Sequence, residues 1–230
     1  MSIIVSFVLM AAFSYFAVKP VKKFAVVFYV IAILISIFGI YFTWNPTNSD
    51  ILRTITYAIQ KGHLGFSLLI VVMFIGVFAQ DSIIRRRLTP VRAELSIIGS
   101  ILIVGHFIPY LMGYLGIIGN LLNMRVSILI SLLISVVILV LLVLLAVTSF
   151  NFVKKRMSKK AWIGIQRLAY VFFGLVFCHL FGFLIVPASA GDVTAQINLA
   201  FYGIVLVSYV SLRIRRAILD KAAANTKQED

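Results

Sequence analysis

The sequence predicts an all-α integral membrane protein, a bundle of about seven transmembrane helices. Of its 230 residues, 62% are hydrophobic and 12% charged, and a mean hydropathy of +1.10 lies outside the range of soluble globular domains. The apolar residues fall in runs close to the roughly 20 residues a helix needs to cross a hydrocarbon core about 30 Å thick, with short polar breaks between them. Lysine and arginine concentrate in every second break.

The first run, residues 1–18, lacks the basic start and small-residue cleavage site of a secretory signal, and Lys19, Lys22 and Lys23 follow it. It reads as a retained helix with its N-terminus outside. Further spans are expected at 24–44, 63–80, 95–117, 127–149, 162–187 and 195–213. The basic breaks hold Lys19, Lys22 and Lys23, then Arg85, Arg86, Arg87 and Arg92, then Lys154, Lys155, Arg156, Lys159 and Lys160, and finally Arg213, Arg215, Arg216, Lys221 and Lys227. The intervening connections carry only Arg53, Lys61 and Arg125. By the positive-inside rule the basic segments are cytoplasmic, which gives an odd number of crossings of a plasma or inner membrane and a cytoplasmic C-terminus. Topology thereby explains the net charge of +14, and the lipid bilayer, not nucleic acid, is the expected partner.

On the outer side, the connection from Trp44 to Gly62 has room for a short interfacial helix, and a second outer connection runs from Pro187 to Gln196. The polar tail from Ala217 to Asp230 is expected as a short helix fraying into disorder, too small for a nucleotide-binding domain. One cysteine, Cys178, excludes an internal disulfide, and no Cys-x-x-Cys-His occurs, so any haem is held non-covalently.

Ionisable side chains inside a bilayer are costly and mark the positions where function is sought. His106 lies in the fourth span, 14 residues after Arg92, and His179 in the sixth, 12 residues after Arg167. At 1.5 Å per residue the difference is about 3 Å, so if both arginines mark the cytoplasmic interface the imidazoles reach similar depth. Low-spin haem iron takes two axial ligands on opposite faces of the ring, and neutral imidazoles from two facing helices satisfy that geometry. For either histidine alone, a hydrogen bond to a neighbouring helix is the simpler reading; the matched pair is what points to haem.

Gly99 and Gly182 share the faces of His106 and His179 and are expected to leave space for the macrocycle. Tyr110, one turn beyond His106, is placed to touch the haem edge or a propionate, with membership of the outer aromatic belt as the alternative. His63 is expected exposed at the outer surface, with no ligand role. Cys178 points to another face than His179 and reads as buried packing. Glu94 opens the fourth helix, where an acid favours the helix dipole.

The segments around the two histidines resemble a known family. From Arg92 to Tyr110 the chain reads RAELSIIGSILIVGHFIPY, similar to the pattern Arg-Arg-x-Leu-Gly-Leu, eight residues, His, three residues, Tyr of the ferric reductase-like transmembrane domain; Arg92, Leu95, His106 and Tyr110 match in register. From Trp162 to His179 it reads WIGIQRLAYVFFGLVFCH, which resembles the Trp-x-x-Leu-His-x-x-x-Tyr, eight residues, His segment of the haem-binding membrane subunit of the periplasmic methionine sulfoxide reductase system. Trp162, Tyr170 and His179 match. The third span, from Gly62 through Leu68, is similar to that family's second helix.

The resemblance covers about residues 24–213. It implies a six-helix haem-binding core there, preceded by an additional helix and basic loop at 1–23 and followed by a cytoplasmic tail at 214–230. It also departs from the family pattern. Gln166 stands where the family has its first sixth-span histidine, Ala93 replaces the second arginine and Ser96 the glycine. Gln166 lies 13 residues before His179, about 20 Å nearer the cytoplasm, and amides are poor iron ligands. The expectation is therefore one haem b in the outer half, held by His106 and His179, with the second, inner site missing.

Such a chain is the membrane electron-transfer component of an oxidoreductase, a cytochrome b-type subunit passing electrons across the bilayer. With no domain of its own for flavin and nicotinamide, it needs a separate electron-donor protein, or a quinone or flavin (FMN or FAD) near the cytoplasmic side, and an acceptor at the outer face. Arg92 and Arg167 are candidate contacts for a phosphate, a quinone carbonyl or a propionate, and Gln166 for a flavin edge, with anchoring of helix ends the simpler role. Two alternatives stand beside this one: a transporter with His106 and His179 lining a proton or solute path, and a haem-less membrane anchor or assembly subunit. The first conflicts with the absence of repeat symmetry and of intramembrane carboxylates.

Overall fold

A computed structural model of the chain describes residues 2–116, 119 and 124–229, and it contains helices and no strand among them. The last residue of the expected 95–117 span and Asp230 lie outside the described residues. The helices are α1 (Ile3–Phe16), α2 (Val18–Lys23), α3 (Ala25–Trp44), α4 (Asp50–Gln60), α5 (His63–Phe74), α6 (Ile83–Leu88), α7 (Arg92–Gly116), α8 (Val126–Ser149), α9 (Asn151–Lys154), α10 (Lys159–Ser189) and α11 (Val193–Glu229). Four of them begin at a serine whose hydroxyl accepts a backbone N–H three residues on: Ser2 from Val5, Ser49 from Leu52, Ser82 from Arg85 and Ser158 from Ala161. Each cap satisfies a donor that the helix itself leaves open.

Among the described residues five helices are long and apolar enough to cross a membrane, and a sixth span results if α4 and α5, bent by 50° at their break, are taken together. The architecture is that of an all-α membrane protein. Helix α1, with 14 residues, extends about 21 Å, short of a hydrocarbon core near 30 Å. Large apolar side chains such as Val26, Leu133 and Val207 face outward, as a lipid solvent allows. Hydroxyls within the apolar helices are closed onto backbone carbonyls four residues back, as in Ser67 to His63 and Ser149 to Leu145, which removes their cost in lipid.

Helix α5 runs through the middle of the bundle and is buried at His63 and from Gly65 to Met73. On one side Leu68 and Val72 pack with Ala32 of α3 and Leu95, Ile98 and Leu102 of α7. On the other, Phe66 meets Phe173 and Phe177 of α10 and Tyr202 of α11, with ring centroids 5.8 to 6.2 Å apart. Helices α5 and α7 approach backbone to backbone at two glycines: a Cβ on Gly99 would stand 3.1 Å from the Gly65 carbonyl oxygen. Gly99 thus serves helix packing and does not open space for a macrocycle.

The basic connections gather at one end. Lys22 donates to Glu94 at 2.6 Å, Arg87 donates to the Tyr15 carbonyl at 2.8 Å and lies over its ring, Tyr29 meets Phe150 at 6.0 Å, and Arg213 lies 5.3 Å from the Tyr170 ring. Glu94 stands in the first turn of α7, where an acid favours the helix dipole, and it also ties α2 to α7. At the opposite end the connection from Trp44 to Gly62 does contain a helix, the amphipathic α4. The tail differs from the expectation: α11 continues unbroken to Glu229, because nothing in the sequence after Arg216 breaks a helix before the end.

Candidate functional site

The two intramembrane histidines stand on α7 and α10, and their environments are alike. The His106 ring lies over the α4–α5 break, where Gly62 takes a left-handed conformation (φ 72°) and a Cβ on that glycine would come within 3.2 Å of the imidazole Cγ. His106 Nδ1 lies 2.7 Å from the Gln60 carbonyl oxygen. A carbonyl only accepts, so Nδ1 carries the proton and donates. His179 Nδ1 lies 2.9 Å from Ser135 Oγ and 3.4 Å from the Ser131 carbonyl oxygen. The Ser135 hydroxyl already donates to Ser131 at 2.6 Å, so its oxygen is the acceptor and His179 Nδ1 is the donor.

Both rings are therefore fixed as the tautomer that leaves Nε2 with a free lone pair. That is the arrangement by which proteins orient a histidine for ligation, with the second nitrogen tied to a backbone carbonyl or a polar side chain. An aromatic side chain one turn on flanks each imidazole: Tyr110 beside His106 and Phe183 beside His179, each with centroids 5.0 Å apart. Helix α8 packs on both α7 and α10, and its serines hold the His179 side. Among the described residues no group of three or more His, Cys, Asp and Glu is placed to hold a metal ion.

Tyr110 stands where the sequence places it, and its hydroxyl accepts from Lys61 Nζ at 2.8 Å. Lys61 also lies over the Tyr57 and Tyr110 rings, 5.7 and 5.6 Å from their centroids. A cation and a phenol are thus held together beside His106. The sequence reading passed over Lys61, and also Gln60, Ser131 and Ser135. The signal for the serines was their i, i+4 spacing in an otherwise apolar helix.

The remaining candidates lie toward the basic end. Gln166 Nε2 donates to Thr148 Oγ1 at 3.0 Å, and Trp162 Nε1 donates to the Thr148 carbonyl at 3.0 Å. This residue and its neighbour join α10 to α8. Arg92 opens α7 with Arg85, Tyr170, Tyr209 and Arg213 around it; Arg167 is not among these and is exposed on α10. Two side chains depart from expectation. His63 is buried at 3% exposure and packs on Tyr57, since the turn at Gly62 folds the start of α5 under α4. Cys178 is exposed, on the side of α10 turned away from the Phe173 and Phe177 core.

No family model matches the chain, and no solved structure matches it. Among curated proteins it is similar to an uncharacterized protein of Treponema pallidum (strain Nichols), 30% identical over 203 residues that make up 87% of this chain and 56% of that protein. The chain spans little more than half the length of that relative.

Proposed function

We propose that this chain is a membrane electron-transfer subunit of the cytochrome b type, in which His106 and His179 would hold one haem b. The observation that carries the proposal is the paired anchoring of both imidazoles through Nδ1, each leaving Nε2 unprotonated. When bound, a haem supplies a one-electron iron couple whose potential depends on the basicity of its axial ligands. The residues around it supply the rest. Gln60 and the Ser131–Ser135 pair hold the rings in place and raise their basicity, and Lys61 with Tyr110 offers donors for a propionate.

The resemblance to the ferric reductase-like transmembrane domain supports the same assignment, through Arg92, Leu95, His106 and Tyr110 on α7 and Trp162, Tyr170 and His179 on α10. In the topology we propose, α1 crosses as a seventh helix, the N-terminus is outside, and the basic end is cytoplasmic. The histidines then sit in the outer half of a plasma or inner membrane. Arg92, beside Arg85 and Arg213, faces the cytoplasmic side, where a flavin, a quinone or a donor protein would deliver electrons. The acceptor is at the outer face.

The test is the visible spectrum of the purified protein, expressed with adequate haem supply, before and after dithionite. The expected result is a sharp band change on reduction, lost in His106→Ala and in His179→Ala. A colourless wild-type protein would overturn the assignment and favour a solute path or an anchor.

A further inference from the structure

The basic end of the bundle carries a groove that the histidine pair does not use. Phe7, Ala11 and Tyr15 recur every four residues along α1 and share one face. Together with Val71 and Phe74 of α5 and Ile84 of α6 they bound a groove of about 400 Å³. Leu88 of α6 packs in one cluster with Val71, which holds α6 against α5. The alanines at 11 and 12 keep the groove open, since both line the wall and a larger side chain at either would occupy the space. Apart from the Tyr15 phenol every side chain on the wall is apolar, so the groove offers a polar solute almost nothing to bond with.

A cation is fixed at its mouth. Arg87 Nε donates to the Tyr15 carbonyl at 2.8 Å, and the guanidinium lies 4.5 Å from the centre of the Tyr15 ring, on a residue that itself lines the groove. These contacts engage one nitrogen and one face of the guanidinium and leave both terminal amino groups for a ligand. Arg86 beside it is exposed, and among the described residues neither arginine is paired with a carboxylate. A hydrocarbon groove with uncompensated positive charge at one end is complementary to an amphiphile with an anionic head. Basic connections lie at headgroup level in a bilayer and apolar helices in its hydrocarbon, which sets the two parts at the right depths. We propose that the groove binds one anionic phospholipid. An acyl chain lies along α1 from Tyr15 toward Phe7, a rise of about 12 Å, and the phosphate accepts from Arg87, with Arg86 adding to the attraction. This site involves neither histidine and stands independently of the haem assignment.

Native mass spectrometry of the full-length protein in detergent, titrated with dioleoyl phosphatidylglycerol or dioleoyl phosphatidylcholine, tests the proposal. One phosphatidylglycerol is expected to bind at least tenfold more tightly than phosphatidylcholine. Arg86→Gln and Arg87→Gln are each expected to weaken it about fivefold. Ala12→Phe, at an exposed position on the wall, fills the groove without entering the core and is expected to abolish the preference. Lys155→Gln combined with Lys159→Gln removes two exposed cations elsewhere at the same end and is expected to change nothing. Equal affinity for the two lipids, full affinity in Arg87→Gln or in Ala12→Phe, or equal weakening in the lysine control would overturn the proposal. Glycerol 3-phosphate, which carries the charge without the chains, is expected not to compete; competition at the concentration of the lipid would reassign the arginines to a free phosphate and overturn the lipid site.

Discussion

A carbonyl oxygen accepts and never donates, and a hydroxyl that has spent its proton on one carbonyl presents only lone pairs to its other neighbours. These two facts fix the proton on Nδ1 of His106 and of His179. Ser135→Ala removes the closer of the two acceptors around His179 and leaves the Ser131 carbonyl at 3.4 Å. Outer-shell partners of this kind are worth about 10- to 100-fold in metal affinity, so haem retention in a titration of the apoprotein is expected to weaken by that order. The midpoint potential is expected to shift as the ring loses basicity. Unaltered affinity and potential in Ser135→Ala would refute the role of Ser135 in orienting His179. Both histidines were legible in the sequence because titratable groups are so few in these helices. Their acceptors were not, because a backbone carbonyl leaves no mark in the residue pattern and the serines come from a different helix, 44 and 48 positions away.

Lys61 and Gly62 separate α4 from α5, and the geometry of Gly62 reaches the site. Gly62 is left-handed, and the space where its side chain would stand is taken by the His106 ring. Gly62→Ala therefore acts twice. The backbone conformation costs about 1–2 kcal/mol for a residue with a Cβ, and the added methyl displaces the imidazole from the Gln60 carbonyl. The expected outcome is a lower unfolding temperature in detergent together with reduced haem content by pyridine haemochrome. Gly76→Ala, with nothing near its Cβ position, is expected to change neither. The amphipathic pattern of α4 could be read from residues 44–62, whereas the bend that turns it over His106 depends on tertiary contact. The same limit explains Gly99. Its spacing from His106 placed it on the right face of α7, and only the approach of Gly65 from α5 decided what fills that face.

Across the whole chain, spans were legible wherever length and hydropathy agreed, as in α3, α8 and α10. They were hardest to define at the ends. Helix α1 is apolar yet stops at Phe16, and α11 keeps its helical path beyond the apolar stretch because polarity does not by itself end a helix. Whether α1 crosses decides the side on which the N-terminus lies. In a Cys178→Ala background, single cysteines at Ser2, Lys155 and Ala190, all exposed positions, report this by reaction with a membrane-impermeant maleimide on intact cells. The distribution of Lys and Arg predicts labelling of Ser2→Cys and Ala190→Cys, and of Lys155→Cys only after permeabilisation. Labelling of Ala190→Cys alone would leave six crossings with both termini inside, and the histidine pair would keep its depth. Labelling of Lys155→Cys alone would invert the bundle, putting the histidines in the inner half and the arginine-rich end outside, and electrons would then have to enter from the opposite face.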